Sequence, residues 1–164
     1  MIVYHGSLEK ITQPEIREPN RTLDYGSGFY TTTSEAQAEE WVRKRMDEKK
    51  AKEGFVNEYD LDEKVLKTLN CLIFTTPTEE WLDFVMNNRT DRHFTHNYDV
   101  VYGPVANDRV YAAFALYEGG LMTKQNLIAE LKTYKLVDQY LFHTPKSLQA
   151  IKFHNAKQIK PWHR

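Results

Sequence analysis

The stretch Phe29-Tyr30-Thr31-Thr32-Thr33-Ser34-Glu35-Ala36 holds a strand and the start of a helix in one short run. Its first five residues are aromatic or β-branched, the composition that suits a pleated, half-buried backbone. Ser34 is then a good N-cap, because its hydroxyl can accept an orphan N–H of the first helical turn. Ala36, Ala38, Trp41, Val42 and Ala51 supply apolar positions beyond it, and the mixed charges of 43–50 read as a solvated helix face. Upstream, Ile2-Val3-Tyr4 predicts a short strand ending at the turn residues Gly6-Ser7, with His5 at the strand end. Residues 8–27 carry Pro14, Pro19 and Asp24-Tyr25-Gly26-Ser27-Gly28, a loop too long for a plain connection. Downstream, 54–61 alternates as a strand, 61–69 reads as a surface loop, and 69–75 reads as a more deeply buried strand. Thr78 opens a helix over 79–86. Residues 98–104 form a strand, Asn107-Asp108 cap a helix through Leu116, and Gly119-Gly120 end it. Thr123 caps another helix, 139–143 is a strand, Thr144-Pro145 starts a short helix, and Phe153 onward forms a last strand. Short strands mixed irregularly with helices predict an α+β fold.

The chain has 164 residues, with 22 Lys plus Arg against 23 Asp plus Glu. That length suits one domain over 1–164 with a core that needs no disulfide or metal staple. A net charge of -1 argues against gripping nucleic acid by bulk positive charge, although it leaves room for a locally held nucleic-acid substrate. No apolar stretch approaches a membrane span and no signal peptide is visible, so a cytoplasmic protein without membrane contact is expected.

The single cysteine, Cys71, lies in an apolar run with no local base, which makes it packing rather than a nucleophile. His93 and His96 stand in a polar stretch without cysteines or a His-Glu-x-x-His helix, so no metal site is expected. Gly26-Ser27-Gly28 precedes a strand rather than a helix, which sets aside phosphate-loop and dinucleotide folds. A scattered set remains: Tyr4-His5-Gly6-Ser7, Gly28-Phe29-Tyr30-Thr31-Thr32 and Gln139-Tyr140-Leu141-Phe142.

In that order these motifs resemble the ADP-ribosyltransferase superfamily, in the branch shared by diphtheria toxin and the poly-ADP-ribose polymerases. The run from Leu23 to Thr32, then Gln37-Ala38 with Trp41, then Asp99-Val100-Val101-Tyr102-Gly103-Pro104-Val105-Ala106, resembles the bacterial DUF3990 family of that clan across nearly the whole chain. The resemblance implies a split β-sandwich of two small sheets with flanking helices, and NAD as substrate in the cleft between them. It implies His5, Tyr30 and Gln139 as catalytic residues, and Tyr4, His5, Gly6, Ser7, Arg17, Arg21, Gly28, Phe29 and Tyr30 as NAD-binding residues.

Physical chemistry gives those positions a consistent reading. Gly6 lacks a Cβ, so its backbone can approach a nicotinamide carboxamide. His5 can hydrogen-bond a ribose hydroxyl, Tyr30 offers an aromatic face, Ser7 a hydroxyl, and Arg17 or Arg21 a guanidinium fork for a pyrophosphate. The bland readings are a capped strand end, a sheet aromatic and solvated loop arginines. Most active members of the superfamily have Glu where this chain has Gln139, so Asp138 and Asp108 are kept as alternative acidic groups. Elongating members of the superfamily use that Glu, so the resemblance with Gln139 implies mono-ADP-ribosylation of a protein or nucleic-acid acceptor, or NAD hydrolysis as a side reaction, rather than polymer formation. The resemblance also implies a toxin or effector role with a neighbouring antitoxin or immunity protein. The alternatives are a non-catalytic NAD or ADP-ribose binding module and an RNA 2'-phosphotransferase.

Overall fold

A backbone bridge joins two small sheets beside the candidate site. The computed structural model describes residues 1–17, 23–91, 93–105, 108–134 and 136–162, with the side chains of 108 and 109 also outside the description. The first sheet has the order β1 (Ile2–Ser7), β3 (Gly54–Leu61), β7 (Ile151–Ile159), all antiparallel. The second has the order β2 (Phe29–Thr31), β6 (Asp138–Phe142), β5 (Val100–Pro104), β4 (Cys71–Ile73); only β4 and β5 run parallel. The sheets touch where Tyr4 and Thr32 exchange backbone hydrogen bonds of 2.8 and 2.9 Å.

Helix α1 (Glu35–Lys49) covers the outer face of the first sheet, with Ala38, Val42 and Met46 against Val56 and Ile159. Between the sheets lie Val3, Phe29, Tyr59, Val100 and Phe142. On the far face of the second sheet, α3 (Glu79–Thr90), α4 (Asp108–Glu118) and α5 (Lys124–Leu131) enclose the largest core, built on Trp81, Leu82, Phe114, Leu127, Val101 and Leu141. This is the expected α+β fold with two small sheets and flanking helices.

Caps behave as their chemistry requires. Ser34, Thr78, Thr123 and Thr144 each accept a backbone N–H with the side-chain oxygen, the last opening a 3-10 helix over Pro145–Ala150. Three expectations need correction. β1 does not turn at Gly6-Ser7 but pairs through Ser7, because β3 continues beside it to Phe55. The stretch 61–69 is not an open loop: Asp62 caps the short helix α2 (Glu63–Leu66) by accepting from Lys64 and Val65. The strand expected over 69–75 is only Cys71–Ile73, and as an edge strand it leaves Ile73 59% exposed rather than buried. No helix among the described residues is long and apolar enough to cross a membrane.

Candidate functional site

The junction between the sheets brings His5 and Tyr30 together. His5 Nδ1 lies 2.6 Å from the Tyr30 carbonyl oxygen, and the ring stacks on Phe29 with centroids 4.1 Å apart. Burial lowers the His5 pKa to about 4, opposed by the Tyr30 carbonyl and helped by the charges of Arg17 and Arg45. The ring is therefore neutral near pH 7. A carbonyl only accepts, so Nδ1 carries the proton and Nε2 keeps its lone pair.

Along β1, the N–H and C=O of Tyr4 both point to Thr32. An extended strand turns these groups to alternate edges, so those of Gly6 point along the same edge beyond the bridge and away from β3. The glycine itself has a packing reason that the sequence does not display. A Cβ at position 6 would come within 2.6 Å of the Ala38 carbonyl oxygen and 2.7 Å of Val42 Cγ2. Gly6 is required by the close seat of α1, with or without a ligand.

Tyr30 is tied down at its hydroxyl, which donates to the Gly26 carbonyl at 2.6 Å and accepts from the Tyr25 N–H at 3.1 Å. Burial holds its phenol well above the usual range. The loop it closes is held at three successive carbonyls. Tyr25 is met by His96 Nε2 at 2.8 Å, Gly26 by Tyr30, and Ser27 by His143 Nδ1 at 2.6 Å. His96 Nδ1 accepts the Tyr98 N–H at 3.2 Å, so both its nitrogens are committed, and its ring lies 4.1 Å from that of His143. Among the described residues no group of three or more His, Cys, Asp or Glu is gathered as a metal site.

Gln139 enters from β6, two residues from the Leu141 that pairs with Tyr30. It is only 4% exposed and shares the helix-side face of the sheet with Leu141. Asp138, one residue earlier, points to the other face. It accepts from Thr33 N at 2.9 Å, from the Thr33 hydroxyl and from the Tyr102 hydroxyl at 3.0 Å, which ties β6 to the turn between β2 and α1.

The remaining candidates are dispersed. Phe29 is buried behind His5, Ser7 Oγ accepts the Glu9 N–H at 3.1 Å, and Tyr4 acts through its backbone bridge. Arg17 is an exposed arginine paired with Glu9 and Glu15, and Gly28 lies against the end of β6. Arg21 falls outside the described residues, as does the Asp108 side chain, although Asp108 opens α4. A separate cleft of about 450 Å³ opens at the carboxyl ends of β4 and β5, between Phe74, Thr76, Tyr102, Pro104, Tyr134 and Asp138. It adjoins Gln139 through Gly103 and Asp138 but reaches neither His5 nor Tyr30.

Sequence reasoning missed Tyr25. Its hydroxyl donates to the Pro104 carbonyl at 2.8 Å and accepts from Trp81 Nε1 at 2.8 Å. It occupies the space a Cβ on Gly103 would need. The co-occurrence of Asp24-Tyr25-Gly26 and Tyr102-Gly103-Pro104 was the available signal, and the contact explains it.

The histidines set a pH dependence. Burial lowers the pKa of His96 as well as His5, the former further lowered by His143. Both folded-state values lie below the unfolded value near 6.5, so the unfolded chain takes up protons first as pH falls. Stability should be level above pH 6.5 and decline between 6.5 and about 4, with His5 alone contributing roughly 2–3 kcal/mol of loss. Urea unfolding at a series of pH values checks this; a midpoint that stays flat from 6.5 to 4 contradicts the buried neutral ring.

The profile of the DUF3990 family, proteins of unknown function, matches residues 1–153, and the chain belongs to that family. No curated protein and no solved structure matches it.

Proposed function

We propose that the protein is a mono-ADP-ribosyltransferase that takes NAD as substrate, transfers ADP-ribose to a protein or nucleic-acid acceptor and releases nicotinamide. The observation that supports this most is the contact of the neutral His5 with the Tyr30 carbonyl beside the Tyr4–Thr32 bridge between the sheets, with Gly6 next on β1 and Gln139 on the strand that pairs with β2. In this reading Gly6 holds the carboxamide of the nicotinamide and His5 Nε2 accepts a ribose hydroxyl. The half-buried Tyr30 ring flanks the base, its rigidity supplied by the two bonds at its hydroxyl. The bond between C1' and the nicotinamide nitrogen breaks with its electron pair leaving on nicotinamide. The acceptor oxygen or nitrogen then bonds C1', and its proton passes to solvent. The transition state resembles the oxocarbenium ion of glycoside cleavage and gains from oriented dipoles around the ribose. A toxin or effector role restrained by a neighbouring antitoxin or immunity protein goes with this reading.

One observation favours a second reading, a non-catalytic NAD or ADP-ribose binding module: the residue on β6 is a buried neutral amide rather than a carboxylate. A single experiment separates the two. Wild-type protein incubated with NAD should release nicotinamide above the spontaneous rate, and His5→Ala should lose most of that release. NAD binding by calorimetry without any release favours the module, and neither binding nor release removes NAD from both readings.

A further inference from the structure

The hydrogen-bond count around Tyr25 decides which end of Gln139 can face a ligand. Trp81 Nε1 only donates and the Pro104 carbonyl only accepts, so the single proton of the Tyr25 hydroxyl is committed to Pro104. The oxygen keeps room to accept one more bond. Its neighbour there is Gln139, which lies directly across the ladder from Gly103, the residue on which the hydroxyl rests. Burial drives the Tyr25 phenol far up, opposed by the Trp81 N–H that its oxygen accepts. Gln139 Nε2 is buried and falls short of hydrogen-bond geometry on any described group, which leaves an N–H to aim at that oxygen. Turning Oε1 to Tyr25 instead would set two acceptors against each other with no proton between them.

We propose that Tyr25 is a positioning residue for Gln139, holding its N–H side inward and turning the carbonyl Oε1 outward as a hydrogen-bond acceptor for a ligand hydroxyl. The proposal deepens the NAD reading and rests on it for the identity of that hydroxyl, a ribose hydroxyl. It also gives a reason for the departure from Glu. A carboxylate at 139 would set a buried charge, in a residue only 4% exposed, against an oxygen whose proton is already used, with no N–H to offer it. The scaffold around Tyr25 selects the amide.

Two measurements test it. In wild-type protein, the side-chain NH₂ protons of Gln139 should show nuclear Overhauser contacts to the Tyr25 ring protons ortho to the hydroxyl and to the Trp81 indole N–H. NH₂ protons remote from both would overturn the proposal, and this reading needs neither a variant nor activity. In turnover, Gln139→Glu should cut nicotinamide release about tenfold or more with the NAD dissociation constant little changed; preserved or raised release would overturn the proposal. Wild-type protein that neither binds NAD nor releases nicotinamide removes the NAD reading instead, and the Overhauser contacts still decide how the amide is held.

Discussion

On the proposed NAD chemistry, Gln139→Ala should slow nicotinamide release by about a hundredfold or more while changing NAD affinity by only a few-fold. The asymmetry follows from where the interaction acts. An acceptor dipole beside the ribose gains strength as positive charge develops at C1', so its removal weighs on the transition state more than on bound NAD. The site amplifies this, because Gln139 is buried on the sheet face that carries Leu141 and is screened little by water. The measurement pairs single-turnover release with calorimetry on the same preparation, after circular dichroism has shown the variant folded. Release and affinity falling together would make Gln139 an ordinary binding residue, and unchanged release would take it out of the chemistry.

The largest stability effect is expected at Gly28. Its φ is +148°, a conformation that side chains rarely adopt. A Cβ there would also run into the Phe142 carbonyl oxygen, stand 2.5 Å from Leu141 Cδ1 and lie 3.1 Å from His143 Cα. Two of these three obstacles are backbone atoms of the strand end and cannot rotate away. Gly28→Ala should therefore cost about 3 kcal/mol or more, from backbone strain and overpacking together. Gly120 is the matched control: its φ is +76° but a Cβ would meet nothing within 4 Å, so Gly120→Ala should cost about 1 kcal/mol. Urea denaturation of both variants reads the difference. Equal losses would mean that the clash at 28 is relieved by movement of β2, and the site geometry would then have to move with it.

How far the sequence carried can be followed residue by residue. Ser34, Thr78, Thr123 and Thr144 each announced a helix, because a cap joins a side chain to a backbone N–H only three residues away. β3 was legible through its alternation, since it is the central strand of its sheet and each face is committed to a different layer. Cys71–Ile73 was misread because an apolar run looks the same whether it ends in the middle of a sheet or at its edge. The extent of β1 was misread because Gly6-Ser7 has turn composition, and only pairing with Val56 and Phe55 keeps it extended.

The candidate site divides in the same way. Sequence alone determined the residue types and their order: a histidine and glycine on the first strand, a tyrosine before a capped helix, and a glutamine on a late strand. It also determined the α+β class. Only the tertiary structure decided that His5 is neutral with its proton on Nδ1, since that state comes from burial and from a carbonyl 25 positions away. Only the tertiary structure decided that Gly6 and Gly103 are glycines for the sake of α1 and the Tyr25 hydroxyl. The bonds that commit Tyr25 span 56 and 79 positions. Caps and strand periodicity are energies of neighbours along the chain, so they are written in local sequence. Proton placement, burial and close approach are energies of neighbours in space, and they exist only once the sheets have met.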